Sequence, residues 1–79
     1  MKALITGGAG FIGSNLCEEL ISLGANVVCL DNFSTGKIEN IVDFLDYPTF
    51  QLITGDIRNI DDCRRAVEGC EYVLHEAAL

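Results

Sequence analysis

Between a short apolar run at Ala3–Thr6 and an amphipathic stretch beginning at Phe11, the chain reads Thr6-Gly7-Gly8-Ala9-Gly10-Phe11-Ile12-Gly13. A turn built from residues without side chains lets the backbone approach a ligand closely. A helix that starts directly after it presents free N–H groups and the positive end of its dipole. Strand, glycine turn and helix in this order constitute a site for a pyrophosphate, the signature of dinucleotide binding. Two glycine registers overlap: Gly8-x-Gly10-x-x-Gly13 fits the general fingerprint, and Gly7-x-x-Gly10-x-x-Gly13 fits a wider variant.

The chain has 79 residues, enough for one small domain that buries roughly 60% of the surface its unfolded form exposes. Hydrophobic residues make up 49% and there is a single proline, which is the composition of a packed unit rather than a disordered tail. Twelve acidic residues against five basic ones give a net charge of −7. The cations Lys2, Lys37, Arg58, Arg64 and Arg65 form no run that could follow a nucleic-acid backbone. An anionic ligand must therefore be held locally, against the overall field. Cys17, Cys29, Cys63 and Cys70 contain no C-x-x-C pair, and with one histidine they lack zinc-ligand spacing, so they are expected to be reduced thiols. The N-terminal apolar stretch is too short for a signal peptide and nothing approaches membrane-spanning length. A cytoplasmic location is expected.

Apolar runs and helical stripes alternate along the chain. Ala3–Thr6 reads as a strand; Phe11, Ile12, Leu16, Leu20, Ile21 and Leu23 lie at helical spacing, ended by Gly24. Asn26–Leu30 is a second strand, nearly continuous in apolar residues as a parallel strand covered on both faces requires, with Asp31 at its end. Ile38, Ile41, Val42 and Leu45 predict a short second helix stopping before Pro48, and Phe50–Thr54 a third strand. Asn59 caps a predicted third helix with Asp61 and Asp62 in its first turn and Ile60, Cys63 and Val67 on one face, before Gly69. Tyr72–His75 is the fourth strand. The βαβαβαβ order calls for an α/β fold with a parallel sheet.

An acid at the second strand's end, eighteen positions after Gly13, strengthens the glycine motif, because a carboxylate there can accept from ribose hydroxyls. A phosphate-loop site fails, since Ser14 occupies the place of its lysine. A methyltransferase is a more distant alternative, as Thr6 stands where such enzymes usually carry an acid.

Together TGGAGFIGSNL, VVCLDNFSTGK, GDIRN and LHEAAL resemble, in order and across all 79 residues, the N-terminal half of the NAD-dependent epimerase/dehydratase family, the extended short-chain dehydrogenases/reductases. The pattern is nearest to UDP-sugar 4-epimerases. The resemblance implies a partial NAD(P)-binding Rossmann fold, a four-stranded parallel sheet in the order 3-2-1-4, with NAD as cofactor. Gly7, Gly10 and Gly13 would shape the turn, and the amides of Phe11 and Ile12 would donate to the pyrophosphate, while their side chains are expected to pack in the core. Asp31 would bind the adenosine ribose and repel a 2′-phosphate, favouring NAD over NADP. Asn32, Ser34, Thr35 and Gly36 fall on the segment wrapping the adenosine, and Lys37 either softens that preference or sits in solvent. Asp56 and Ile57 match the adenine contact, Asp56 accepting from the exocyclic amine; the competing reading of Asp56 is a turn-former after Gly55. Ala77 and Ala78 match small residues beside the cofactor's ribose and nicotinamide. His75 reads as a structural hydrogen-bonder.

In that family the proton chemistry rests on Tyr-x-x-x-Lys with a nearby Ser or Thr. Here Tyr47 is followed four positions on by Gln51 and Tyr72 by Glu76, so neither tyrosine has a lysine to lower its pKa, and both are expected to be packing residues. No catalytic and no metal-binding residues are assigned. The resemblance thus implies that residues 1–79 form an N-terminal dinucleotide-binding half-domain lacking the catalytic and UDP-sugar regions. A free-standing NAD-binding or sensing module and an inert truncated fragment remain open alternatives. An unpaired outer edge on the fourth strand is expected to favour a homodimer.

Overall fold

Two strands carry almost unbroken apolar sequence because both of their faces are covered. The computed structural model describes residues 1–77, and places β1 (Lys2–Thr6) and β2 (Asn26–Asp31) at the centre of a four-stranded sheet. β3 (Phe50–Thr54) and β4 (Tyr72–His75) flank them in the order β3-β2-β1-β4, and all pairings are parallel. Leu4 faces Val28 on one side and Val73 on the other. The expected sheet order is therefore found.

Because successive strand residues point to opposite faces, β1 and β2 feed two cores. Ile5, Val27 and Cys29 pack with Cys17 of helix α1 (Phe11–Ser22) and with Ile41, Phe44 and Phe50. Leu4, Val28, Leu30 and Ile53 pack against Ala66 of helix α2 (Ile60–Val67) on the other face. The chain leaves α1 through a Schellman closure, Gly24 N–H to the Ile21 carbonyl and Ala25 N–H to the Leu20 carbonyl, both 3.0 Å. The start of α2 is held by Asn59, whose Oδ1 accepts from the amides of Asp61 (2.9 Å) and Asp62 (3.1 Å).

Two expectations about helix faces are corrected. The predicted second helix is instead a pair of single 3-10 turns, Ile38–Asn40 and Val42–Phe44. Only Ile41 and Phe44 are buried there, whereas Ile38, Val42 and Leu45 are exposed. A helix would place four apolar side chains on one stripe; the tighter turns need only two plugs, with the Phe44 ring set edge-on to Phe50 at 5.8 Å. In α2, Ile60 and Val67 are exposed and Ala66 alone is fully buried. Its rotation is set by a polar anchor: Asp62 Oδ2 accepts the Asp56 amide at 3.0 Å, which turns the Asp62, Cys63 and Ala66 side inward.

Cys17 and Cys29 are fully buried beneath the glycine turn and all four cysteines are free thiols. A hydrogen bond to Cys17, donated by the Cys29 thiol, together with burial pushes that thiol far above the usual thiol range. Among the described residues no helix is long and apolar enough to cross a membrane.

Ile41→Ala is expected to lower stability by about 2–5 kcal/mol through the cavity it leaves, and Ile38→Ala by less than about 0.5 kcal/mol, as read from urea unfolding midpoints. Equal losses at the two positions would restore the amphipathic helix.

Candidate functional site

The order β3-β2-β1-β4 means that after β3 the chain crosses to the far side of β1, which makes the β1/β4 boundary the switch point of the sheet. A crevice must open at the carboxyl ends of the strands at this point. There the structure has a cleft of about 320 Å³.

Its floor is the glycine turn. Gly7 has φ +71°, a conformation a side chain disfavours, and a Cβ there would fall 2.8 Å from the Ala77 nitrogen. A Cβ on Gly13 would collide with the Gly7 carbonyl, so the first turn of α1 can lie on the loop only without one. Gly8, the member of the other register, meets its constraint from below: a Cβ would stand 2.5 Å from Cys29 Sγ. Gly10 is the N-cap residue of α1, extended at φ −74° and ψ 172°, and brings no side chain to the helix start. No acid lies in that first turn. The turn reaches the cleft through Gly7 and Gly10; the amides of Phe11 and Ile12 have no intrahelical acceptor, but neither residue lines the cleft. Their side chains correct an expectation: Phe11 is 79% and Ile12 62% exposed, because the first turn projects past the end of the sheet and the helix buries Gly13, Ser14 and Cys17 instead.

The turn is braced from β2. Asp31 is buried; its Oδ2 accepts the Ala9 amide at 2.9 Å and its Oδ1 the Phe33 amide at 2.7 Å. A carboxylate has about four acceptor positions, so about two remain, and Asp31 lines the cleft. The Ala9 carbonyl is gripped in turn by the Lys37 amide (3.0 Å) and Asn40 Nδ2 (2.8 Å). Asn32, Ser34 and Thr35 line the cleft beside Asp31, and Asn32 Oδ1 holds the Ser34 amide at 2.9 Å. Gly36 does not line it; a Cβ there would press on Asp31 Oδ2 at 2.8 Å, so its smallness serves the brace.

Asp56 and Ile57 form the third wall. Asp56 is clasped by Arg58, Nη2 to Oδ2 at 2.7 Å and Nε to Oδ1 at 3.0 Å, and by Asn32 Nδ2 at 3.2 Å. Arg58's hydrogen bonds hold the Asp56 carboxyl well below the usual carboxylate range, and the pair raises the Arg58 guanidinium further. Ala77 closes the wall at the end of β4. Ala78 lies outside the described residues.

Sequence reasoning missed three positions. Arg58 lines the cleft, Asn40 clamps the turn, and Thr6 is a hub: its Oγ1 accepts from the amides of Glu76 (3.1 Å) and Ala77 (3.3 Å) and lies 2.7 Å from His75 Nδ1. With the Ala77 amide donating to the oxygen and the Glu76 amide shared between it and the Thr6 carbonyl (3.0 Å), the hydroxyl's proton is directed to Nδ1, which favours the Nε2–H tautomer of His75. His75 is thus the hydrogen-bonder the sequence suggested. Tyr72 and Tyr47 are not packed as expected; both are exposed, Tyr72 on the outer strand β4 and Tyr47 with only a tilted contact to Phe44 at 6.2 Å.

A glycine turn opening onto a helix start at the switch point of a parallel sheet, with a braced acid at the end of β2, defines a Rossmann-type dinucleotide fold. The comparisons narrow this. The model of the NAD-dependent epimerase/dehydratase family matches residues 3–79, and the chain belongs to that family. UDP-glucuronic acid decarboxylase 1 of Arabidopsis thaliana is 46% identical over 57 residues, covering 72% of this chain and 13% of the decarboxylase. The structure of dTDP-glucose 4,6-dehydratase from Bacillus anthracis in complex with NAD superposes with TM-score 0.93 at 26% identity, over 100% of this chain and 27% of that one. The Thermus thermophilus UDP-glucose 4-epimerase complex with NAD gives TM-score 0.82 at 38% identity, over 100% of this chain and 24% of that one. The chain thus spans about a quarter or less of the length of these proteins.

Thr6→Val is expected to leave the Ala77 amide without its acceptor, the Glu76 amide keeping the Thr6 carbonyl at 3.0 Å, and to lower stability by about 1–3 kcal/mol. In ¹⁵N spectra the wild-type His75 is expected as the Nε2–H tautomer, and Thr6→Val to return it to a mixture. A wild-type mixture would contradict the hub.

Proposed function

We propose that this chain binds NAD in the cleft at the carboxyl ends of its strands, as the cofactor-holding half-domain, residues 1–79, of a nucleotide-sugar epimerase or dehydratase of the UDP-glucose 4-epimerase type. The observation that carries the reading is the convergence, in one cleft, of three kinds of group. The uncapped start of α1, which reaches the cleft at Gly10 although Phe11 and Ile12 do not line it, suits a pyrophosphate, a carboxylate with free acceptor positions suits a ribose diol, and a carboxylate beside an apolar side chain suits an aminated heteroaromatic ring.

In this reading Gly7, Gly10 and Gly13 let the backbone reach the pyrophosphate, and Phe11 and Ile12 donate to it. Asp31 takes the ribose hydroxyls with Asn32, Ser34 and Thr35 around them and Gly36 behind the brace. Asp56 and Ile57 take adenine, and Ala77 and Ala78 leave room for the nicotinamide side. When bound, NAD supplies a hydride acceptor; this chain's own residues bind and orient it. Neither Tyr47 nor Tyr72 stands in a Tyr-x-x-x-Lys pattern, so the proton transfer and the UDP-sugar site belong to the longer protein in this account. For the isolated chain, the open outer edge of β4, where Tyr72 and Val73 are exposed, favours pairing with a second copy. Light scattering is expected to show a mass rising with concentration, and a constant monomer would contradict the pairing.

Calorimetric titration with NAD and NADP tests the cofactor reading. Wild type is expected to prefer NAD, and Asp31→Ala to abolish the preference. The ratio is the informative quantity, because Asp31→Ala also unpairs the Ala9 and Phe33 amides and weakens the fold. Absence of binding by wild type, or an unchanged ratio in the variant, would overturn it.

A further inference from the structure

The Asp56 carboxylate faces the cleft with its acceptor positions already occupied. Oδ1 accepts the Arg58 amide at 2.8 Å and Nε at 3.0 Å; Oδ2 accepts Nη2 at 2.7 Å and Asn32 Nδ2 at 3.2 Å, with Nε also 3.2 Å away. Four donors meet about four acceptor positions. The Asn32 amide is the one donor among them whose sole contact is a long one, so an incoming amine displaces it most cheaply. Arg58, by contrast, spans both oxygens in a fork and fixes the plane of the carboxylate.

The loop backbone does not depend on this fork. The Asp56 amide is tied to Asp62 Oδ2 at 3.0 Å, and Asp62 Oδ1 is held by Arg65 Nη2 at 3.0 Å. The Arg58 amide contact survives any side chain at that position. The Arg58 side chain is 70% exposed, so its packing contribution is small. What the guanidinium does here is orient a carboxylate at the mouth of a cleft.

We propose that Arg58 is a positioning residue for base selection: by fixing the Asp56 carboxylate beside Ile57, with the Asn32 amide as a place-holder, it makes the cleft accept a base with an exocyclic amine and reject one with a carbonyl oxygen there. An acceptor-only carboxylate receives the amine of adenine and opposes the oxygen of hypoxanthine. Freed from Arg58, the carboxylate can rotate and the distinction fades. This inference rests on the adenine reading above.

The test is titration of the whole chain with NAD and with nicotinamide hypoxanthine dinucleotide, for wild type, Arg58→Gln and Arg58→Lys, with thermal unfolding of each. Wild type is expected to favour NAD by about tenfold, as a lost charged hydrogen bond implies. Arg58→Gln is expected to bring the ratio close to one with its unfolding midpoint near that of wild type, and Arg58→Lys, a point charge without the fork, to keep part of it. A wild-type ratio kept in Arg58→Gln, or an equal loss for both nucleotides, would overturn the proposal, the latter marking a merely structural residue. Failure of wild type to bind either nucleotide would instead remove the cofactor reading beneath it.

Discussion

The hydrogen bond from the Ala9 amide to Asp31 Oδ2 ties the glycine turn to the end of β2, and the site depends on it. A turn of residues without side chains has little to hold its own shape, and its conformational freedom is costly to freeze. One buried carboxylate fixes it from the neighbouring strand, and the same group reaches forward to the Phe33 amide. Phe33 sits at φ 60°, uncommon for a residue with a side chain, and its partly buried ring packs against the α1 side of the core. The acid that lines the cleft is thereby also the keystone of the loops around it.

Much of this was legible before the structure. The Asn59 cap and the Gly24 exit each follow from a local rule that the tertiary structure reinforces, and the strand order follows from the family resemblance. The spacing of Asp31 from Gly13 is fixed by the length of one helix and one strand, so it is readable as a number. The corrections in the helical segments share a cause: apolar residues at helical spacing need not face the core. Phe11 and Ile12 lie beyond the sheet's end, Ile60 and Val67 are turned outward by the Asp62 anchor, and residues 38–44 plug the core with Ile41 and Phe44 from 3-10 turns. Periodicity tells which residues share a face, not which way that face points.

The polar networks were illegible for a different reason. Thr6 with His75, Asn40 with Ala9, and Arg58 with Asp56 and Asn32 join residues from separate elements or within an irregular loop, where sequence carries no period. A threonine inside an apolar strand and an arginine two positions after an aspartate are individually unremarked. Only the register Thr6↔His75 and the return of the loop after β3 bring them to the cleft.

The central claim is that the start of α1 and the walls around it receive a dinucleotide. An amide-resolved NMR titration of the chain with NAD tests this most directly. The account predicts shifts concentrated at Gly10, Phe11 and Ile12, at Asp31 and Asn32, and at Asp56 and Ile57. Shifts at the opposite ends of the strands, around Pro48 and Thr49, or none at the first turn of α1, would contradict it.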